Sequence, residues 1–251
     1  MGKKNYKKKI GLIGYTGFIG SNLKKQFQTK SNYNSKNISK IIGKDFHTLI
    51  CAGTSSKRWQ ANKFPKVDLK SIIKLINFLK RVEATKFILI STIEVYGNNN
   101  NKNELSKINK KNNTDYGLNR IFLEDFIKKN FDSLIIRLPI VYGKNIKKNF
   151  IFDLINKKNL DQLNYNDIVQ IYNVDNLIDD INYCLRKKIK EFNVWSEPIK
   201  LGQIAKKVFN IKITKKRKPR VMKMKSNFKK KYHYSKRFLE KELHQFIKKN
   251  K

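Results

Sequence analysis

The segment GYTGFIG places Gly14, Gly17 and Gly20 three residues apart, directly after the apolar run KIGLI. A strand, a glycine turn and a helix in that order are what binding of a dinucleotide's phosphates requires. Gly14 permits the tight turn, Gly17 lets the backbone approach a pyrophosphate, and Gly20 allows helix and strand to pack closely. Phe18, Ile19 and Gly20 would open the helix with free N–H groups, Thr16 sits in the turn beside them, and the helix dipole favours an anion there. By itself the G-x-x-G-x-x-G spacing fits an ordinary turn equally well.

The elements that must hold such a turn are legible along the first two thirds of the chain. KIGLIG reads as a buried strand, and residues 20–29 as a helix with Leu23 and Phe27 on one side. TLICAG (48–53), KFILIST (86–92) and SLIIRLPIVYG (133–143) read as further apolar strands, the last ended by Pro139 and Gly143. Between them, Leu69, Ile72, Ile73, Ile76 and Leu79 follow the helical period, and residues 116–129 form another helical segment. Strands alternating with helices predict an α/β fold, a Rossmann-type doubly wound parallel sheet covered on both faces. After Gly143 the elements shorten. Residues 1–145 are therefore expected to form a nucleotide-binding domain and 146–251 a small C-terminal substrate lobe, with chain segments free to interleave. The polar stretch NNNNKNELSKINKKNNTD is expected to be a surface loop, and the tail KKRKPRVMKMKSNFKKKYHYSK to be exposed. A last helix, 238–249, can dock through Phe238, Leu239, Leu243 and Phe246.

Composition narrows the class. Of 251 residues, 39% are hydrophobic and 12% aromatic, enough for a real core. No apolar run approaches the roughly 18 residues that read as a membrane span, and the basic N-terminus lacks a signal-peptide apolar region. The two cysteines, Cys51 and Cys184, lie far apart in apolar segments and read as reduced core residues, which points to the cytoplasm. Three scattered histidines offer no metal site. The net charge of +38 invites a nucleic-acid reading, but Lys and Asn are enriched everywhere, without a focused stripe or an interleaved stacking motif. Nucleic acid is thus an unlikely partner; a positive field that attracts anionic nucleotides is the milder consequence.

Several motifs then occur in a telling order: GYTGFIG, CAG, STIEVYG, YGLNR, RLPIVYG and QIYNVDNL. Over about residues 8–210 the chain resembles the extended short-chain dehydrogenases/reductases, in particular the NAD-dependent epimerase/dehydratase group. The resemblance implies an NAD(P)-dependent reductase or epimerase acting on a nucleotide sugar, as used for polysaccharide or lipopolysaccharide precursors. It implies a Tyr-x-x-x-Lys pair on one helix face with a Ser or Thr from the preceding strand; the matching residues are Tyr116, Arg120 and Thr92. Tyr116 would be the acid/base, Arg120 its cationic neighbour and a ribose contact, and Thr92 a hydrogen-bond donor to the reacting oxygen. Ala52 and Gly53 of CAG and Leu138 of RLPIVYG fall at cofactor positions.

Two departures shape the expectation. Arg120 stands where Lys is usual, keeping the charge but not the ability to release a proton. Ile93 stands where sugar dehydratases carry the first residue of an Asp-Glu pair, so dehydration is disfavoured and Glu94 is left as a lone candidate. Asn149 and Gln170 are candidate substrate contacts, and Asp175 is expected to cap the helix that follows it. The region after the first helix, TKSNYNSKNISK, has no acid to hold a ribose 2′-hydroxyl; Asn34, Ser35 and Lys36 suit a 2′-phosphate, so NADP is modestly preferred over NAD. A short length and NFIFDLI add a partial likeness to dTDP-4-dehydrorhamnose reductases, and a homodimer is a habit of the family. The alternative is a non-catalytic NAD(P)-binding sensor or scaffold, RNA-associated through its basic tail.

Overall fold

A computed structural model describes residues 9–55, 57–98, 100–228 and 231–249. The basic N-terminal residues 1–8 lie outside that range, as do Asn99 of the polar loop and Lys229 and Lys230 of the tail. The elements run β1 (Ile10–Ile13), α1 (Phe18–Phe27), β2 (Ser31–Tyr33), β3 (Asp45–Cys51), α2 (Arg58–Lys63), α3 (Pro65–Leu79), β4 (Glu83–Thr92), α4 (Asp115–Asn130), β5 (Ser133–Leu138) and β6 (Ile140–Tyr142). They continue as α5 (Phe150–Asn156), β7 (Ile168–Val169), β8 (Ile171–Asn173), α6 (Leu177–Arg186), β9 (Glu191–Asn193), β10 (Ile199–Lys200), α7 (Leu201–Phe209) and α8 (Lys236–Lys249).

Six strands form one sheet in the order β2-β1-β3-β4-β5-β9. β1 pairs in parallel with both β2 and β3, so that Leu12 lies opposite Asn32 on one side and Ile50 on the other. The chain therefore winds outward in both directions from β1, and the end of β1 is the point where such sheets open a crevice for ligands. The strands read as continuous apolar runs because both sheet faces are covered: every residue of β5 is buried. Between β2 and β3 the usual helix is replaced by a 3-10 turn, Ile38–Ile41, which buries Ile38 and Ile41.

Two compact units share the chain: residues 1–97, 108–136 and 178–191, and residues 98–107, 137–177 and 192–251. The first unit's core joins Ile13, Ile41, Leu49, Ile72, Leu79, Phe87 and Leu123. Its helix α3 starts on Pro65, whose missing N–H costs nothing at that position, and buries Ile72, Leu75, Ile76 and Leu79. Helix α4, capped by Thr114 accepting from Gly117 N–H, is different: its buried stripe includes Tyr116, Arg120 and Glu124, one turn apart each. Three buried polar side chains at that period have to be matched by partners from other elements.

The second unit packs Tyr142, Ile151, Leu154, Ile171, Ile204, Leu239 and Leu243 around two short ladders, β6 with β8 and β7 with β10. SLIIRLPIVYG is two strands, broken at Pro139, which cannot donate to a ladder. The tail is also not simply exposed. Asn101 N–H donates to Lys223 O (2.7 Å) and Lys225 N–H to Lys102 O (2.8 Å), zipping the polar loop to the tail. Glu104 accepts from Ser226 Oγ (2.8 Å) and from the amides of Asn193 (2.8 Å) and Asn227 (2.7 Å). These bonds tie the loop and the tail together, and Met224 ends 1% exposed. In the last helix Leu239, Leu243 and Phe246 are buried as expected, whereas Phe238 is exposed. Asn173 caps the turn formed by residues 174–176 ahead of α6, accepting from Asp175 N–H. Among the described residues no helix is long and apolar enough to cross a membrane.

Candidate active site

The glycine turn folds as a turn whose shape its own backbone imposes. Gly14 has φ +87°, and a Cβ there would lie 2.5 Å from Ala52 O. A Cβ on Gly20 would lie 2.0 Å from Gly14 O, so close approach of α1 to the turn demands glycine. Gly17 is another matter: a Cβ would meet only Gly14 O, at 3.3 Å. The chain's packing constrains that position far less than Gly14 or Gly20, and Gly17 lines a cavity of about 400 Å³ and leaves the N-terminus of α1 without a side-chain cap. A cradle of this form fits a pyrophosphate: open space lies beside the uncapped start of α1, although Phe18, Ile19 and Gly20 are not themselves among the residues that line the cavity.

Thr16, Asn34, Ser35, Ala52 and Gly53 line the same cavity with Gly14 and Gly17. Ile13, Ile38, Leu75 and Phe78 give it an apolar wall, and Thr54, Ser55, Ser71 and Lys74 complete it. Lys36 does not line it; its amide donates to Asn34 Oδ1 (2.9 Å) in a tight turn. The contributions of α3 escaped sequence reading. Ser71, Lys74, Leu75 and Phe78 follow the i, i+3, i+4, i+7 spacing of one helix face, displaced from the more conspicuous core stripe.

Tyr116 begins α4 and is 8% exposed, with its N–H held by Asn62 Oδ1 (2.9 Å). Thr92 ends β4, and its hydroxyl accepts from Glu94 N–H (3.2 Å), leaving its own proton free to be donated. The two come from packed elements: a Cβ on Gly117 would lie 2.6 Å from Glu94 O. Burial pushes the Tyr116 phenol above its ordinary value; Arg120 pulls it down, and Glu94 and Asp68 push it up. Burial also holds the Glu94 carboxyl high, against the pull of Arg58, whose Nη1 lies 3.1 Å away.

Arg120 stacks its guanidinium over the Tyr116 ring, 4.4 Å from the centroid. It is 3% exposed, and both terminal nitrogens are spoken for. Nη1 and Nη2 donate to the Asp68 carboxylate at 3.0 Å each, and Nη2 to Ser55 O at 2.7 Å. Asn119 adds a bond to Asp68 (2.9 Å). One turn further, Glu124 accepts from Ser91 Oγ (2.5 Å), beside Thr92. Asp68, Ser91 and Glu124 were missed by sequence reading, since nothing local marks a partner 52 residues away.

The remaining candidates have structural duties. Asn149 caps α5, accepting from Ile151 and Phe152 N–H and donating to Val141 O. Gln170 is fully buried, donating to Ser196 O and Met224 O and accepting from Met224 N–H, so it offers no surface to a substrate. Leu138 is buried at the end of β5. Ile93, at the position of the dehydratase acid, is 1% exposed and belongs to the core. Burial pushes the Cys51 thiol up to about 11, which suits a core residue and not a nucleophile. Among the described residues no group of three His, Cys, Asp or Glu could hold a metal ion.

Comparison with known proteins agrees with the fold. The chain superposes on dTDP-4-dehydrorhamnose reductase from Bacillus anthracis, solved with NADP, with a TM-score of 0.74 at 18% identity, covering 98% of this chain and 100% of that one. UDP-glucuronic acid 4-epimerase from Bacillus cereus, solved with NAD, gives 0.72 at 17% identity over 96% and 99%. UDP-N-acetylglucosamine 4-epimerase from Methanobrevibacter ruminantium gives 0.70 at 15% over 96% and 97%. No curated protein sequence matches the chain. The model of the NAD dependent epimerase/dehydratase family matches residues 33–177, more than half of the sequence, and the chain belongs to that family.

Proposed function

We propose that the protein is an NAD(P)-dependent reductase of a keto group on a nucleotide sugar, with Tyr116 as proton donor. The observation that carries the reading is the cavity lined by Gly14 and Gly17, where α1 begins without a side-chain cap. Gly14 and Gly17, with the Phe18 and Ile19 amides, would hold the pyrophosphate, and Ile38, Leu75 and Phe78 the adenine. A bound nicotinamide supplies or accepts hydride.

The chain's own residues favour one direction. Reduction needs a proton delivered to the carbonyl oxygen, and a buried neutral phenol is a donor at neutral pH. Oxidation, and epimerisation that begins with it, need a phenolate first. The usual cation one turn away would lower the phenol, but Asp68 neutralises Arg120 and so weakens that pull. Thr92 can donate a second hydrogen bond to the same oxygen, and the apolar Ile93 supports reduction over dehydration. The nucleotide sugar as substrate rests on the family and on the folds it resembles.

A second reading is a cofactor-binding sensor without turnover, and the engagement of Arg120 by Asp68 and Ser55 favours it. Binding of NADPH and NADH, followed by hydride transfer to a panel of nucleotide 4-keto sugars, separates the two. Turnover that Tyr116→Phe abolishes without loss of cofactor binding supports the reductase; binding without turnover on any sugar supports the sensor.

A further inference from the structure

Among the described residues fifteen line the cavity at the glycine turn, and their ionisable side chains reduce to one: Lys74, on α3. No carboxylate lines it. Around it stand small polar groups, the Asn34 amide and the hydroxyls of Ser35 and Ser71, together with the apolar residues Ile38, Leu75 and Phe78. The Ser71 hydroxyl is turned back to its own helix, donating to Asp68 O (2.6 Å). Lys74, an exposed side chain, makes no ion pair among the described residues, which leaves its ammonium open to an anion in the cavity. A cavity with an apolar slot, a pyrophosphate cradle at one end and a single cation without a carboxylate partner is built for an adenosine that carries an extra anion. A ribose diol is usually held by an Asp or Glu carboxylate, which the described lining lacks.

Accepting the cofactor-binding reading of that cavity, we propose that Lys74, assisted by Asn34 and Ser35, pairs with the 2′-phosphate of NADPH and sets the preference for it over NADH. The cation thus comes from the helix that packs beside the β2 turn, and not from Lys36 in the turn itself. An ammonium on a flexible stem acts as a point charge, which suits a phosphate monoester.

The test is equilibrium binding, free of turnover, measured for NADPH, NADH, adenosine 2′,5′-bisphosphate and 5′-AMP at about 0.15 M salt, where the Debye length is about 8 Å and the general positive field is damped. Lys74→Gln is compared with Lys36→Gln and with Lys80→Gln, an exposed lysine at the end of α3 that serves as the control for net charge. The wild type should bind NADPH and the bisphosphate roughly 10- to 100-fold tighter than their partners without the 2′-phosphate. Lys74→Gln should erase that ratio while NADH and 5′-AMP bind as before, and the two controls should keep it. A ratio that survives Lys74→Gln, falls equally in Lys80→Gln, or is absent from the wild type overturns the proposal while leaving cofactor binding intact. Failure of all four nucleotides to bind overturns the cofactor reading along with it. Unchanged thermal melting of Lys74→Gln, an exposed side chain, guards the comparison against misfolding.

Discussion

The glycine turn and the Tyr116 turn of α4 are both short motifs that sequence reading singled out, and they behave differently. At Gly14 and Gly20 the constraint is steric and local: a Cβ would lie 2.5 Å from Ala52 O or 2.0 Å from Gly14 O, so the residue type and its spacing already contain the geometry. At Tyr116 and Arg120 the spacing puts two side chains on one face, but what they do depends on what faces them. Asp68 on α3 turns a cation into half of a buried ion pair. Backbone motifs can be read from a few adjacent residues; side-chain chemistry also depends on its partners.

The sharpest challenge to this contrast is Tyr116→Phe. General acid–base groups contribute about 10²- to 10⁴-fold to rate, so turnover of a keto sugar should fall by that factor with NADPH binding unchanged. The wild-type reduction rate should also show no inflection near neutrality, because burial keeps the phenol protonated well past it. A rate that rises as pH climbs from 6 to 9 would mean that phenolate is the working form and that Arg120 acts as a cation after all.

Next in size is Asp68→Ala. It strands the Arg120 guanidinium, 3% exposed, without its counter-charge, and breaking one side of a buried pair costs about 3–5 kcal/mol. At roughly 2–4 °C per kcal/mol for a chain of this size, melting should drop by about 10 °C. Replacing both partners, Asp68→Leu with Arg120→Met, should cost less than either single change, since no charge is then left buried. Equal, additive losses would show that the pair is not a unit, and the contrast with the glycine turn would lose its physical basis.

The same logic explains what the sequence disclosed. The alternating strands and helices were legible because parallel strands buried on both faces must be apolar, as in the run of β5. Gly14 and Gly20 were legible because the turn demands them. Lys36 was a reasonable choice for a cofactor cation, but side-chain direction in a three-residue strand and its turn is not encoded in spacing, and Lys74 lines the cavity instead. Gln170 and Asn149 looked available because amides contact sugars; their duties come from Met224 and Ser196, and from the start of α5, none of which a motif announces. The tail misled for a related reason: a dense run of lysines hides Met224 and Ser226, which Glu104 and the polar loop hold in place.

Within the glycine turn the contrast can be made finer by separating glycines that serve the chain from the one that serves a ligand. Gly20→Ala forces backbone apart and should destabilise by about 1–3 kcal/mol, as overpacking does. Gly17→Ala meets only Gly14 O at 3.3 Å and should melt within about 1 kcal/mol of the wild type, while placing a methyl in the cradle and weakening NADPH at least about tenfold. If Gly17→Ala binds as well as the wild type, the cavity at α1 is not a phosphate site.

The smallest effect tests whether the Tyr116 neighbourhood as a whole is built to hold protons. Glu94 raises the phenol and is itself held high by burial, with Arg58 pulling it partly back. A carboxyl raised on folding binds its proton more tightly in the native protein than in the unfolded chain. Its favourable contribution is therefore present below the ordinary value of about 4.3 and is lost as pH rises through the folded value. Glu94→Gln removes that dependence, so the variant should gain stability relative to the wild type as pH climbs from 4 to 8, by about 1 kcal/mol or less. The opposite trend, a variant that falls behind as pH rises, would mean that the Arg58 ion pair outweighs burial. Either outcome leaves the phenol as the proton donor and shows whether burial or the Arg58 pair governs the carboxyl beside it.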